Sequence, residues 1–257
     1  MAYQVKHIND YLIQITDEFQ DAIYILKGRD CAILWDLGMD KQPLKPLVDN
    51  LVDTPYHVVF SHGHLDHVGC GGEFETAFMS MKDKDVYFDN PPGLNYMDFD
   101  KIQPMPSEFD LGDRKVQIMP CPGHTQGSVL LIDTDKKLVF TGDAVGSGCG
   151  AWIQVFGASM LKDYAADLRQ CINHLTAMGV DNSWAFYGGH AGQEYMSRTS
   201  SYNKIDLHLF SDMAQLCDLL IAGKIEYEPS EAKEFPLGKP YFAMYKKAEM
   251  VFTLSQL

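Results

Sequence analysis

The sequence predicts a mixed α/β or α+β fold, built from strand–helix–strand runs in two halves that break near residue 125. Three observations carry this expectation. Short runs of β-branched and aromatic residues, split by turn residues, dominate the first third of the chain. Two longer stretches, about Met160–Ala177 and Tyr202–Ala222, read as helices; in the first, Leu161, Tyr164, Leu168, Cys171, Ile172 and Leu175 fall at helical spacing. The chain has 257 residues, 46% hydrophobic and 22% charged, which suits one large domain with a full core.

Taken in order, Tyr3–Ile8, Tyr11–Ile15, Ala22–Leu26 and Cys31–Trp35 are predicted strands, punctuated by Asn9-Asp10 and Gly28-Arg29-Asp30. Asp36-Leu37-Gly38 closes the fourth. Pro43–Leu51 reads as a short helix and His57–Ser61 as a buried strand. The segment Phe88–Pro106 is rich in Pro, Asn, Asp and Met and reads either as a loop over a site or as a surface excursion. Strands resume at Lys115–Met119, Ser128–Asp133, Leu138–Thr141 and Trp184–Tyr187, and Tyr241–Thr253 returns as a strand or hairpin. With no repeat, low-complexity tract or linker, residues 1–257 are expected to form a single domain, with a helix and strand extension at about 200–257.

The net charge of −14 and pI near 4.9 repel nucleic-acid backbones and anionic membranes, which excludes nucleic acid as a partner. No apolar run is long enough for a membrane span, and Met1–His7 lacks a basic-then-apolar leader pattern. The six scattered cysteines form no C-x-x-C pair, which suggests reduced thiols. A cytoplasmic location and a small-molecule substrate are the expectation.

The run Ser61-His62-Gly63-His64-Leu65-Asp66-His67 holds three imidazoles and a carboxylate, ligand types that suit zinc, iron and manganese. His62 and His64 are two apart and point the same way on an extended segment. Further along stand Cys121-Pro122-Gly123-His124-Thr125, Phe140-Thr141-Gly142-Asp143 and Tyr187-Gly188-Gly189-His190. These four pieces, in this order, resemble the H-x-H-x-D-H, PGHT, TGD and GH signatures of the metallo-β-lactamase superfamily. The resemblance implies a four-layer αββα sandwich. It implies His62, His64 and His124 on one metal, Asp66, His67 and His190 on the other, and Asp143 bridging. It implies two divalent ions, zinc first, with iron or manganese as alternatives. A hydroxide shared by the ions would be the nucleophile, and Asp66 would be catalytic, orienting it or moving its proton. Asp36 resembles the family's D-x-G carboxylate, which supports a ligand; a plain turn residue is the other reading. Ser61 and Thr141 are candidates for hydrogen bonds to ligands.

The branch is narrowed by single positions. Asp143 stands where true β-lactamases usually carry Cys, and His64 stands where flavodiiron proteins carry Glu. Gly146 stands where acyl-homoserine lactonases carry Tyr. Gly148-Cys149-Gly150 after the bridging position is similar to glyoxalase II, although Ala151 replaces that family's Arg. The resemblance therefore implies a glyoxalase II-like hydrolase of a small thioester, ester or lactone. An iron-dependent sulfur dioxygenase and a phosphodiesterase of the same fold are the alternatives. Trp152, Phe156, Tyr187 and Tyr195 are read either as pocket lining or as core.

Overall fold

A computed structural model describes residues 3–146, 150–191, 205–232, 234 and 237–257. The chain divides into two compact units, Met1–Ile118 and Met119–Leu257. The first contains β1 (Gln4–Asn9), β2 (Leu12–Thr16), β3 (Ala22–Lys27), β4 (Ala32–Trp35), α1 (Lys45–Leu51), β5 (Tyr56–Val59), α2 (Leu65–Val68), β6 (Ala77–Met79), α3 (Lys84–Asp89), β7 (Ile102–Pro104) and β8 (Glu108–Asp110). Strand β9 (Lys115–Pro120) carries the division.

Strands β1–β7 form one sheet in sequence order. Its first half is antiparallel, because tight turns join β1 to β4. From β4 onward the pairing is parallel, and each parallel step needs a crossover. The α1 segment supplies the first of these. Strands β3 and β4 are almost wholly buried, as expected for strands covered on both faces. The core of this unit gathers Ile13, Ile15, Ile23, Ile25, Leu34 and Phe60. The parallel half matters for function, since loops at the carboxyl ends of parallel strands are the usual place for a site. Asp36 follows β4 there, and the His-rich run follows β5.

The second unit contains β10 (Val129–Asp133), β11 (Leu138–Gly142), β12 (Ala151–Trp152), α4 (Leu161–Ala177), β13 (Ala185–Gly188), α5 (Leu207–Ile221), β14 (Glu228–Pro229), β15 (Pro240–Tyr245) and β16 (Ala248–Thr253). One sheet runs β13-β11-β10-β9-β8 and another β12-β16-β15-β14. Helix α4 buries Leu161, Tyr164, Ala165, Leu168, Cys171 and Leu175, the expected apolar stripe, with Ile172 half-buried at its margin. The core also draws Phe210, Met213 and Cys217 from α5 and Met250 and Phe252 from β16. Helix α5 starts at an Asp206 cap, whose side chain accepts from Leu209 N at 3.0 Å. Residues 202–204 of its expected span lie outside the described residues.

Differences from the expected elements are local. Helix α1 begins at Lys45 rather than Pro43, because Glu73 accepts from Leu44 N and Lys45 N at 3.0 and 2.8 Å and sets the start there. Tyr241–Thr253 is a hairpin, β15–β16. Phe88–Pro106 is not one loop: it holds the end of α3, a 3₁₀ turn at Phe99–Lys101 and β7, which pairs with β6. Among the described residues no helix is long and apolar enough to cross a membrane.

Candidate metal centre

In the first unit, β5 delivers Ser61 into a buried turn fixed by Asp36. Ser61 N donates to Asp36 Oδ1 at 2.7 Å, and Asp36 Oδ2 lies 2.9 Å from His67 Nδ1. Asp36 and His67 are each about 1% exposed. Asp36 adopts φ +59°, a left-handed conformation that Asp tolerates better than most residues. This lets one carboxylate leave β4 and reach both the β5 loop and α2. Asp17 braces the same loop, accepting from Met39 N at 3.1 Å.

Ser61 Oγ meets His62 Nδ1 at 3.0 Å. The His62 and His64 rings stand perpendicular, with centroids 4.9 Å apart, and the His62 and His67 centroids are 4.1 Å apart. Asp66 Oδ1 lies 3.8 Å from His67 Nε2, and Asp66 remains partly exposed. Gly63, between the two histidines, is held from both sides: its N–H donates to buried Asp83 at 2.9 Å, and its carbonyl accepts from Asn90 Nδ2 at 2.8 Å. A Cβ there would sit 3.1–3.2 Å from Asp83 O and Cβ and Tyr87 N, so a larger residue would have to push α3 back by a few tenths of an ångström. Burial first, and then the Asp66 carboxylate, push the Tyr96 phenol up.

In the second unit, Asp143 follows β11 and His190 follows β13. These strands are parallel neighbours with Gly142 opposite Gly188, so both residues leave the same end of the sheet. His190 Nε2 and His124 Nε2 lie 3.4 and 3.7 Å from Asp143 Oδ2. His124 Nδ1 is 2.7 Å from the Trp152 carbonyl. Gly123 has φ +154°, and a Cβ on it would lie 2.1 Å from the Tyr164 ring, which fixes the Pro122–Thr125 turn against α4. Tyr164 in turn donates to Ala144 O at 2.6 Å, holding the turn that carries Asp143.

The donor chemistry fits divalent ions. For His62, His67 and His124 the Nδ1 side is engaged by a hydroxyl, a carboxylate and a carbonyl. The carboxylate and the carbonyl only accept, so they fix on His67 and His124 the tautomer that leaves the Nε2 lone pair for a metal, whereas the Ser61 hydroxyl meets His62 Nδ1 as donor or acceptor. Imidazole and carboxylate together suit zinc, iron or manganese. Of the supporting residues expected from sequence, Asp36 contacts His67 and Ser61 contacts His62, both expected ligands. Thr141 does not serve a ligand: its hydroxyl donates to the Gly142 and Tyr187 carbonyls, the latter tying β11 to β13. The Tyr187 ring stacks on Phe140 at 5.3 Å, and Ala151 is fully buried in β12 opposite Met250. Phe156 is 41% exposed. Tyr195, Gly148 and Cys149 lie outside the described residues. Asp83, Asn90 and the Trp152 carbonyl were not foreseen from sequence. The two side chains lie far from any motif, and a backbone carbonyl has no sequence signal.

The family model described as Metallo-beta-lactamase superfamily matches residues 16–190, more than half of the chain. The chain is 25% identical over 213 residues to Acyl-coenzyme A thioesterase MBLAC2 of Bos taurus, covering 66% of this chain and 75% of that protein. It is 26% identical over 156 residues to Hydroxyacylglutathione hydrolase GloC of Haemophilus influenzae, covering 55% and 74%. Hydroxyacylglutathione hydrolase of Brucella ovis is 30% identical over 132 residues, where the match spans 51% of this chain and about half, 46%, of the relative. Among solved structures, the metallo-beta-lactamase from Pontibacter korlensis superposes with a TM-score of 0.61 at 17% identity, covering 84% of this chain and 99% of that one. TTHA1623, described in a di-iron-bound form, gives 0.57 at 19%, covering 77% and 95%. These likenesses show the α/β fold class expected from the motifs. The chain belongs to the metallo-beta-lactamase superfamily. Within it, the thioesterase and hydroxyacylglutathione hydrolase relatives agree with a glyoxalase II-like branch.

Proposed function

We propose that this protein is a dinuclear metal-dependent hydrolase of acyl thioesters, with activated esters and lactones as poorer substrates. The observation that carries this reading is the clamping of ligand histidines at Nδ1, by Asp36, Ser61 and the Trp152 carbonyl. Nothing in a bland His-rich loop would demand it. In this reading residues 1–257 act as one catalytic domain. His62, His64 and His124 hold one ion, Asp66, His67 and His190 hold the other, and Asp143 serves both. Zinc is the proposed metal.

Divalent ions there would supply Lewis acidity, polarising a carbonyl oxygen and making water acidic near neutral pH. The chain's residues supply the rest. Asp36 and Trp152 O orient imidazoles. Asp66, partly exposed, takes and returns a proton at its carboxylate oxygens. Thiolate departs more readily than alkoxide, since thiols have a pKa near ~8.5 and alcohols lie far higher. The names of the relatives, an acyl-coenzyme A thioesterase and hydroxyacylglutathione hydrolases, support the thioester class. The acidic net charge and absence of a basic motif beside the ligands weigh against phosphodiesters. The five described cysteines are free thiols, which supports a reducing, cytoplasmic setting.

The test compares kcat/KM for acyl thioesters, lactones, activated esters and phosphodiesters on one preparation of defined metal content. Highest turnover of thioesters is expected. A clear preference for phosphodiesters, or oxygen consumption with a persulfide and no hydrolysis, overturns the proposal.

A further inference from the structure

Gly63 joins two of the expected ligands, and its torsions set how they face each other. Glycine has the most backbone freedom of any residue. Gly63 does not use that freedom for a left-handed turn, since its φ is not positive. Left unrestrained, it would let His62 and His64 swing apart. The structure instead holds their rings perpendicular, with centroids 4.9 Å apart. Two side chains supply the restraint. Asp83 Oδ2 accepts from Gly63 N at 2.9 Å and fixes the peptide plane on the His62 side. Asn90 Nδ2 donates to Gly63 O at 2.8 Å and fixes the plane on the His64 side. Each peptide is planar, so holding both planes fixes φ and ψ of the glycine between them.

Both side chains come from the ends of α3, Asp83 as its N-cap and Asn90 as its C-cap. An Asp at an N-cap ordinarily accepts from a backbone N–H in the first turn of its own helix. Asp83 makes no such bond. Its side chain is fully buried and is turned to the histidine run instead. A buried polar group costs stability unless it is hydrogen-bonded, and here the bond goes to the ligand-bearing turn. The helix itself is firmly seated. Tyr87 is buried, its hydroxyl donates to Met97 O at 2.6 Å, and its ring meets Tyr96 edge-on at 6.1 Å. Tyr87 N lies 3.2 Å from where a Cβ on Gly63 would stand, so α3 runs directly over the glycine.

We propose that Asp83 and Asn90 are positioning residues for metal binding: they hold His62 and His64 in their observed arrangement before an ion arrives, and the same two bonds couple α3 to the occupied site. The proposal rests on the metal-dependent reading above and adds to it two residues that touch no ligand side chain. Preorganisation strengthens binding because the ordering of the ligands no longer opposes it. Such coupling is reciprocal. If the clamp tightens metal binding by some factor, a bound ion tightens the docking of α3 by the same factor. Metal occupancy is therefore readable in a helix that contributes no ligand.

The experiment measures zinc affinity by chelator competition on wild type, Asp83→Ala, Asp83→Asn, Asn90→Ala and Tyr87→Phe, and follows hydrogen exchange at the amides of α3 with and without zinc. Asp83→Ala and Asn90→Ala are expected to weaken one equivalent about 10–100-fold, the range typical of groups that orient metal ligands. Asp83→Asn keeps an acceptor oxygen for Gly63 N and recovers most of the loss. Tyr87→Phe removes the donor to Met97 O but leaves both bonds to Gly63, so it lowers thermal stability and keeps wild-type affinity. In wild type, zinc slows exchange in α3 by about 10–100-fold, the same factor, and in Asn90→Ala that slowing falls by the factor lost in affinity. Wild-type affinity in both alanine variants overturns the proposal. So does equal weakening by Tyr87→Phe, which would make the stability of α3 the cause rather than its grip on Gly63. If Asp83→Ala does not fold, Asn90→Ala at the half-buried end of the clamp decides. A wild type that binds no zinc overturns this proposal together with the reading it rests on, whereas tight zinc binding in every variant overturns the clamp alone.

Discussion

Replacing Asp36 by Asn isolates what its carboxylate does. Asn tolerates the left-handed φ of +59°, so the backbone is not strained by the change. It retains one acceptor where Asp36 offers two. Ser61 N has no alternative role but to donate, so the remaining oxygen stays on it. The new amide N–H then faces His67 Nδ1, now 2.9 Å from a carboxylate oxygen. His67 must present a lone pair there and carry its proton on Nε2, the tautomer that cannot coordinate. Outer-shell partners of metal ligands are typically worth about 10–100-fold in affinity, or ~1.4–2.7 kcal/mol. Asp36→Ala is less informative. It leaves buried Ser61 N and His67 Nδ1 without their acceptor at about 1–3 kcal/mol each and adds about 1–2 kcal/mol for Ala in the left-handed region. The assay is competition with a chromophoric chelator, alongside denaturant unfolding of the metal-free forms. Asp36→Asn is expected to hold one equivalent of metal about 10–100-fold more weakly, with metal-free stability changed far less. Wild-type affinity for both equivalents would refute the argument that Asp36 sets the His67 tautomer.

Four other outcomes are expected. Asp143→Ala removes the carboxylate nearest both His124 and His190, and should abolish activity and lower metal content more than Asp36→Asn does. Gly123→Ala places a Cβ about 2.1 Å from a Tyr164 ring atom, and should lower the melting temperature and metal affinity together. Tyr164→Phe leaves the Ala144 carbonyl without its buried donor, and should cost about 1–3 kcal/mol in chemical denaturation. Burial pushes the Cys70 and Cys217 thiols up to about 12. At pH 8 each is then about one part in 10⁴ thiolate, so brief iodoacetamide treatment followed by mass spectrometry should find them unlabelled in native protein and labelled after unfolding.

The sequence was most readable where periodicity or ligand chemistry was strong. The β-branched runs of β2, β3 and β4 and the apolar stripe of α4 match the observed elements within one or two residues. Strands β6, β7 and β8 were not legible, because three residues are too few to show a two-residue period and tertiary pairing alone makes them strands. The same holds for α2, a single turn whose sequence reads as a ligand motif rather than a helix. Within the candidate site, residue types and spacing pointed to His62, His64, Asp66 and His67, and Asp36 followed from the D-x-G position. Asp83 and Asn90 were invisible for a physical reason. They act on a glycine backbone 20 and 27 residues away, and only the fold of α3 onto the histidine run brings them there. Thr141 shows the converse. A hydroxyl at a strand end beside a ligand is equally placed to bond a neighbouring strand, and it does.

The most direct test of the central proposal is a titration of metal-free protein with zinc, following bound metal by elemental analysis and thioester hydrolysis on the same samples. Activity should rise to its plateau only as the second equivalent binds, with two ions held per chain, and chelation should remove both together. Full activity in a well-folded protein that holds one ion per chain, or in a metal-free one, would contradict the dinuclear account.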